Sequence, residues 1–147
     1  MGYTHFWTLH PEADARAWRE AMCRIVPAIL ATTSIPTEVR WSRDLELNGT
    51  GACQGGRAHC EGFCGDTADH EPFRLPLAFP QAGDWAFCKT GAKEYDVVVS
   101  AILAALEATC PDAITVESDG GMNDWKPGLC LASQALGTPI PPPQAIR

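Results

Sequence analysis

One segment limits the folds open to this chain more than any other. Between Phe87 and Cys110 the apolar residues Tyr95, Val98, Val99, Ile102, Leu103, Leu106 and Cys110 recur at three- and four-residue steps. That is the spacing of a helix with one buried face. Such a helix needs a layer to pack on, and the flanking sequence offers strands. Gly2 to Leu9 alternates aromatic and polar residues, Trp85 to Cys88 is a short apolar run, and Ile114 with Val116 alternates before Ser118-Asp119-Gly120-Gly121.

The remaining elements follow in chain order. Pro11, Glu12 and Asp14 mark a helix start, with Trp18, Met22, Ile25 and Ile29 on its apolar face. Pro27 lacks a backbone donor and is expected to end or kink this helix near Val26. Val39, Trp41, Leu45 and Leu47 fall on odd positions, predicting a strand that enters a turn at Asn48-Gly49. Phe73, Leu75, Leu77 and Phe79 alternate among Pro72, Pro76 and Pro80, the pattern of an edge or irregular strand. Asp124, Trp125, Leu129, Ala132 and Leu136 predict a short final helix closed by Gly137 and Pro139.

Interleaved strands and helical segments predict a single α+β domain over residues 1–138: a small mixed sheet, two main helices and a short C-terminal one. A hairpin-tip excursion at about 50–69 and an extended, mobile Pro-rich tail at 139–147 complete the expectation. With 147 residues, 46% of them hydrophobic, the chain holds material for one core.

The formal charge of −7 excludes an extended nucleic-acid track, which needs a basic stripe. The start MGYTHFWTL lacks the charged and apolar regions of a signal peptide, and no stretch has the length of a membrane span. A cytoplasmic protein without membrane contact is expected, and a homo-oligomer is compatible with the sequence. The odd, scattered set of seven cysteines reads as mostly reduced thiols rather than a disulfide framework.

Site candidates cluster at the front of the central helix. Lys89, Thr90, Gly91 and Lys93 gather two cations, a hydroxyl and a flexible glycine where helix N–H groups would point outward to an anion. If the strands at Trp85–Cys88 and Ile114–Val116 are parallel neighbours joined by a right-handed crossover, Lys89, Thr90 and Lys93 face Ser118 and Asp119 across one sheet edge. Trp125 would supply a ring to stack on a ligand. The alternative for the lysines is a plain helix cap, and for Trp125 a packing role. A P-loop is excluded because GxxxxGK[ST] is absent.

His5, His70 and Glu71 are polar supports that could act as acid or base, with a structural role as the other reading. Cys53, His59, Cys60, Cys64 and His70 offer zinc ligands without paired CxxC knuckles, so free thiols or a local disulfide compete with zinc. No cofactor is otherwise specified, and no catalytic signature assigns a catalytic residue.

The motifs MGYTHFW, LELNG, HEPFRLP, FCKT with KEYDVVV, VESDG and DWKPG together resemble an uncharacterised family of small phage and bacterial proteins that begin MGYTHYW-like. The resemblance spans most of the chain apart from the tail. It implies a phage-related setting, hence the host cytoplasm, and carries no reaction. The segment Thr50–Asp69 departs from it by its length, which makes the cysteines there an embellishment.

Three function classes stand. The first is a protein that binds an anionic, nucleotide-like small molecule, an anti-defence role if it sequesters a host signalling nucleotide. The second is a phosphoesterase using His5 or His70. The third is an interaction module that targets a host protein through the excursion and tail.

Overall fold

The computed structural model describes residues 3–51, 67–78 and 84–147. The chain runs β1 (Thr4–Leu9), α1 (Ala15–Thr32), β2 (Thr37–Trp41), β3 (Asp44–Gly49), β4 (Phe73–Pro76), β5 (Asp84–Lys89), α2 (Asp96–Thr109), β6 (Ile114–Ser118), α3 (Met122–Leu136) and a 3-10 turn at Gln144–Ile146. The fold is α+β with one core. In place of a single mixed sheet, the described residues form two three-stranded sheets, ordered β5-β1-β6 and β2-β3-β4, and every strand pairing among them is antiparallel. The C-terminal helix, at 15 residues, is one residue longer than α2 with 14.

Strand β1 lies between β5 and β6, which are therefore parallel to each other without being neighbours. Alternation on β1 sends His5, Trp7 and Leu9 into the interior, while Phe6 and Thr8 take the other face. Helix α2 is apolar around most of its circumference because it is enclosed, lying against α1, α3 and β6. Gly128 of α3 allows the closest approach, since a Cβ there would meet Ser100 Oγ and the Ala101 backbone of α2.

Helix α1 starts at an Asp14 N-cap whose Oδ1 accepts from Arg16 N at 3.0 Å and Ala17 N at 3.1 Å. It continues through Pro27 to Thr32 rather than stopping near Val26. Pro27 and Cys23, whose carbonyl loses its partner, both lie on the exposed side where water can serve, while Ile25, Val26 and Ile29 stay buried. The indole of Trp18 donates to the Pro76 carbonyl at 2.8 Å and ties α1 to β4.

The predicted strand over Val39–Leu47 is two strands, with the reversal at Ser42–Arg43 instead of Asn48-Gly49. Asn48 belongs to β3 and clamps a distant backbone. Its Oδ1 accepts from His70 N and its Nδ2 donates to His70 O. β4, which ends on Pro76, is an edge strand, where a missing ladder donor is tolerated. The tail is anchored by Gln144 N donating to Glu107 Oε2 and Ile140 N donating to Ser133 Oγ. No helix among the described residues is long and apolar enough to cross a membrane.

Candidate functional site

Burying polar groups costs free energy unless they are paired, so their placement shows where a fold accepts that cost. Of the seven buried polar or charged residues among those described, Thr4, His5, Thr90, Lys93 and Asp96 sit together where β1 begins and β5 ends; only Ser100 and Glu107 lie elsewhere. The insertion of β1 between the parallel strands creates this cluster. Tyr3 O accepts from Thr90 N and Gly91 N on one side, and Thr4 O accepts from Asp119 N on the other.

Four side chains form one hydrogen-bonded line across this end of the sheet. Thr90 Oγ1 donates to Asp96 Oδ1 at 2.7 Å, and His5 Nε2 lies 2.5 Å from the same oxygen. His5 Nδ1 lies 2.8 Å from Ser118 Oγ, which also accepts from Gly120 N at 2.9 Å. A carboxylate only accepts, so Nε2 carries a proton, and in the neutral tautomer Nδ1 accepts a hydrogen bond from the Ser118 hydroxyl. His5 and Asp96 are fully buried, whereas Ser118 is half-buried. The edges and faces of Tyr3 and Trp125 wall the imidazole, with ring centroids 5.1 and 5.0 Å away.

The front of α2 differs from an open anion site. Asp96 N donates to Lys93 O, Val97 N to Glu94 O, and Val98 N and Val99 N to Tyr95 O. Those donors are occupied by the chain itself, and the Asp96 carboxylate sits at the positive end of the dipole. The six ligand-binding candidates therefore divide. Thr90, Lys93 and Trp125 are buried, with Trp125 edge-on to His5 and presenting no face to solvent. Lys89 and Ser118 are half-buried, and Asp119 is exposed. Trp125 Nε1 is buried and has no hydrogen-bond partner among the described residues. Asp69, exposed, has its carboxyl held below the usual range chiefly by a Thr67 hydrogen bond, with the Lys93 charge adding to it.

His70 and Glu71 join the second sheet to β5. His70 Nδ1 donates to Lys89 O at 2.6 Å, and Glu71 Oε1 accepts from Lys89 N at 2.9 Å. The Glu71 carbonyl accepts from the Tyr95 hydroxyl at 2.6 Å. Gly91, at φ +62°, passes so close to His70 that a Cβ would stand 3.0 Å from the ring. Of the proposed zinc ligands, Cys53, His59, Cys60 and Cys64 lie outside the described residues. Among those described, His70 included, no group of three or more metal-binding side chains converges.

A second feature occupies the outer face of the sheet. Trp85 is 60% and Phe87 52% exposed. Phe6 stacks on Trp85 at 5.9 Å with an interplanar angle of 23°, and the Trp85 and Phe87 centroids are 5.5 Å apart. Strand alternation puts Lys89 on this face after Phe87, and Glu117 beside Phe6 on the other flank. Sequence reasoning passes over Trp85 and Phe87 as one face, although their two-residue spacing is the signal. Asp96 is also missed: a lone acid opening an otherwise apolar helix.

Comparison with family models, curated proteins and solved structures gives no match. The fold and site define a small α+β domain with a buried polar line at one sheet end and an aromatic outer face.

Proposed function

We propose that this domain binds an anionic, nucleotide-like small molecule on the outer face of the β5-β1-β6 sheet. The observation that carries the reading is the contiguous set Phe6, Trp85 and Phe87, of which Trp85 and Phe87 are more than half exposed, on the strand face that Lys89 shares. Flat bases stack on such platforms irrespective of sequence, each contributing about 1–3 kcal/mol as measured by alanine substitution. Lys89 follows Phe87 by two residues, about 6.8 Å along a strand, the order of separation between a base and its 5′-phosphate. Glu117 on the opposite flank can accept from an exocyclic amine or a ribose hydroxyl. In the phage-related setting implied by the sequence resemblance, holding such a ligand would sequester a host signalling nucleotide in the cytoplasm.

A nucleotide panel including cyclic dinucleotides and ADP-ribose derivatives tests this by melting temperature, tryptophan quenching and mass spectrometry of the recovered ligand. Trp7, Trp18 and Trp125 are buried, so quenching reports on Trp85 and Trp41, and Trp85→Phe separates the two. A hit should weaken by about 1–3 kcal/mol in Trp85→Ala or Phe87→Ala and by about 1.5–3 kcal/mol in Lys89→Gln. Recovery of a cleaved ligand would favour the phosphoesterase reading. No hit across the panel, or a hit indifferent to all three substitutions, would overturn the outer-face site and leave the aromatic patch to a protein partner.

A further inference from the structure

The line Thr90, Asp96, His5, Ser118 has a polarity that a merely space-filling network does not need. It begins at a fully buried hydroxyl, passes through a buried carboxylate and imidazole, and ends at a half-buried hydroxyl at the sheet end. We propose that Ser118 is an activated nucleophile, with His5 as its general base and Asp96 as the positioning residue, and that it hydrolyses small acyl esters. This site lies on the inner side of the sheet and stands independently of the outer-face ligand.

Each hydrogen bond has a function in that assignment. Asp96 fixes the tautomer, because its carboxylate requires the proton on Nε2 and leaves the Nδ1 lone pair facing Ser118. The Thr90 hydroxyl, donating to the same oxygen, holds the carboxylate in place. Tyr3 and Trp125 prevent the imidazole from turning away. The Gly120 N–H takes one lone pair of Ser118 Oγ and fixes the orientation of the hydroxyl. The hydroxyl proton points to His5, and the second lone pair is left for attack. Gly120 is required by this geometry, since a Cβ would run into the Tyr3 hydroxyl. The local chain path, a strand ending on the serine and a helix beginning four residues later, brings the hydroxyl to the rim of the sheet.

The reaction balances with water as the only co-reactant. Ser118 Oγ forms a bond to the acyl carbon while its proton passes to His5 Nδ1. The ester C–O bond then breaks, and the leaving alkoxide takes that proton and departs as an alcohol. Water attacks the acyl-serine and gives a proton to Nδ1. Ser118 Oγ recovers it as the carboxylic acid leaves.

A fluorophosphonate probe tests the nucleophile without a known substrate, because attack by Oγ displaces fluoride and leaves a stable phosphonyl-serine. The expected result is one adduct per chain on the peptide containing Ser118, absent after heat denaturation and absent in Ser118→Ala. Asp96→Asn should slow labelling at least tenfold while the circular dichroism spectrum is retained. Because that carboxylate is buried and its variant can fail to fold, Ser118→Cys supplies a second measurement. The introduced thiol should react with iodoacetamide faster than the exposed Cys23 and Cys130 of the same molecule. No adduct at Ser118, together with an introduced thiol no faster than those two, would overturn the proposal, as would equal labelling of the native and denatured chain.

Discussion

Cys88 and Tyr95 illustrate what enclosure does to single ionisable groups. Burial, reinforced by the Glu71 and Asp96 charges, pushes the Cys88 thiol up to about 12, and burial above all raises the Tyr95 phenol in the same direction. Below pH 9 folded and unfolded chains both keep the thiol proton. Above it the unfolded chain releases the proton and the folded one does not until about pH 12. Stability therefore falls as pH rises through that window. Urea unfolding between pH 9 and 10, before tyrosine contributes strongly, should show a declining unfolding free energy. Cys88→Ala should flatten that decline, and an unchanged slope would refute the account. A half-buried Cys110, raised by burial, adds a smaller effect of the same sign.

At the scale of elements, the sequence reveals what obeys local periodicity and hides what depends on pairing. The apolar repeat of α2, the start of α1 and the alternation of β1 and β6 are all legible because each is a property of consecutive residues. The β2–β3 hairpin is not. Trp41 pairs with Leu45 and Val39 with Leu47, odd residues with odd, so the turn leaves the alternation unbroken and the two strands read as one. The serine, histidine and carboxylate are invisible as a group for a similar reason: His5 meets Asp96 across 91 residues and Ser118 across 113. The sequence singles out Ser118 for a different partner, on the premise that β5 and β6 touch.

The continuation of α1 past Pro27 yields a prediction at the same scale. Pro27→Ala would restore an N–H for the Cys23 carbonyl on an exposed surface, so it should raise stability by about 1–3 kcal/mol. A lower melting temperature for Pro27→Ala would show that the ring is needed where it stands.

Across the whole molecule the two sheets share one interior. Trp7 of the first meets Phe73 of the second edge to face at 5.3 Å, and Leu45, Leu47 and Leu75 complete the same buried cluster. Phe73→Ala should cost about 3–5 kcal/mol and lower the melting of both sheets together. Two separated transitions in calorimetry, only one of them shifted, would mean that the sheets are energetically distinct.

The central position of β1 also governs the order in which the molecule can be assembled. The strand is translated before either of its partners, both of which are encoded far downstream, so it must wait beside the ribosome with its ladder groups unpaired. Closing loops of that length is entropically costly before any contact rewards it, which predicts slow folding relative to a helical domain of equal size. It also means that His5 cannot meet Ser118 until β6 has been synthesised, so the hydrogen-bonded line stays incomplete in any nascent chain that lacks this strand.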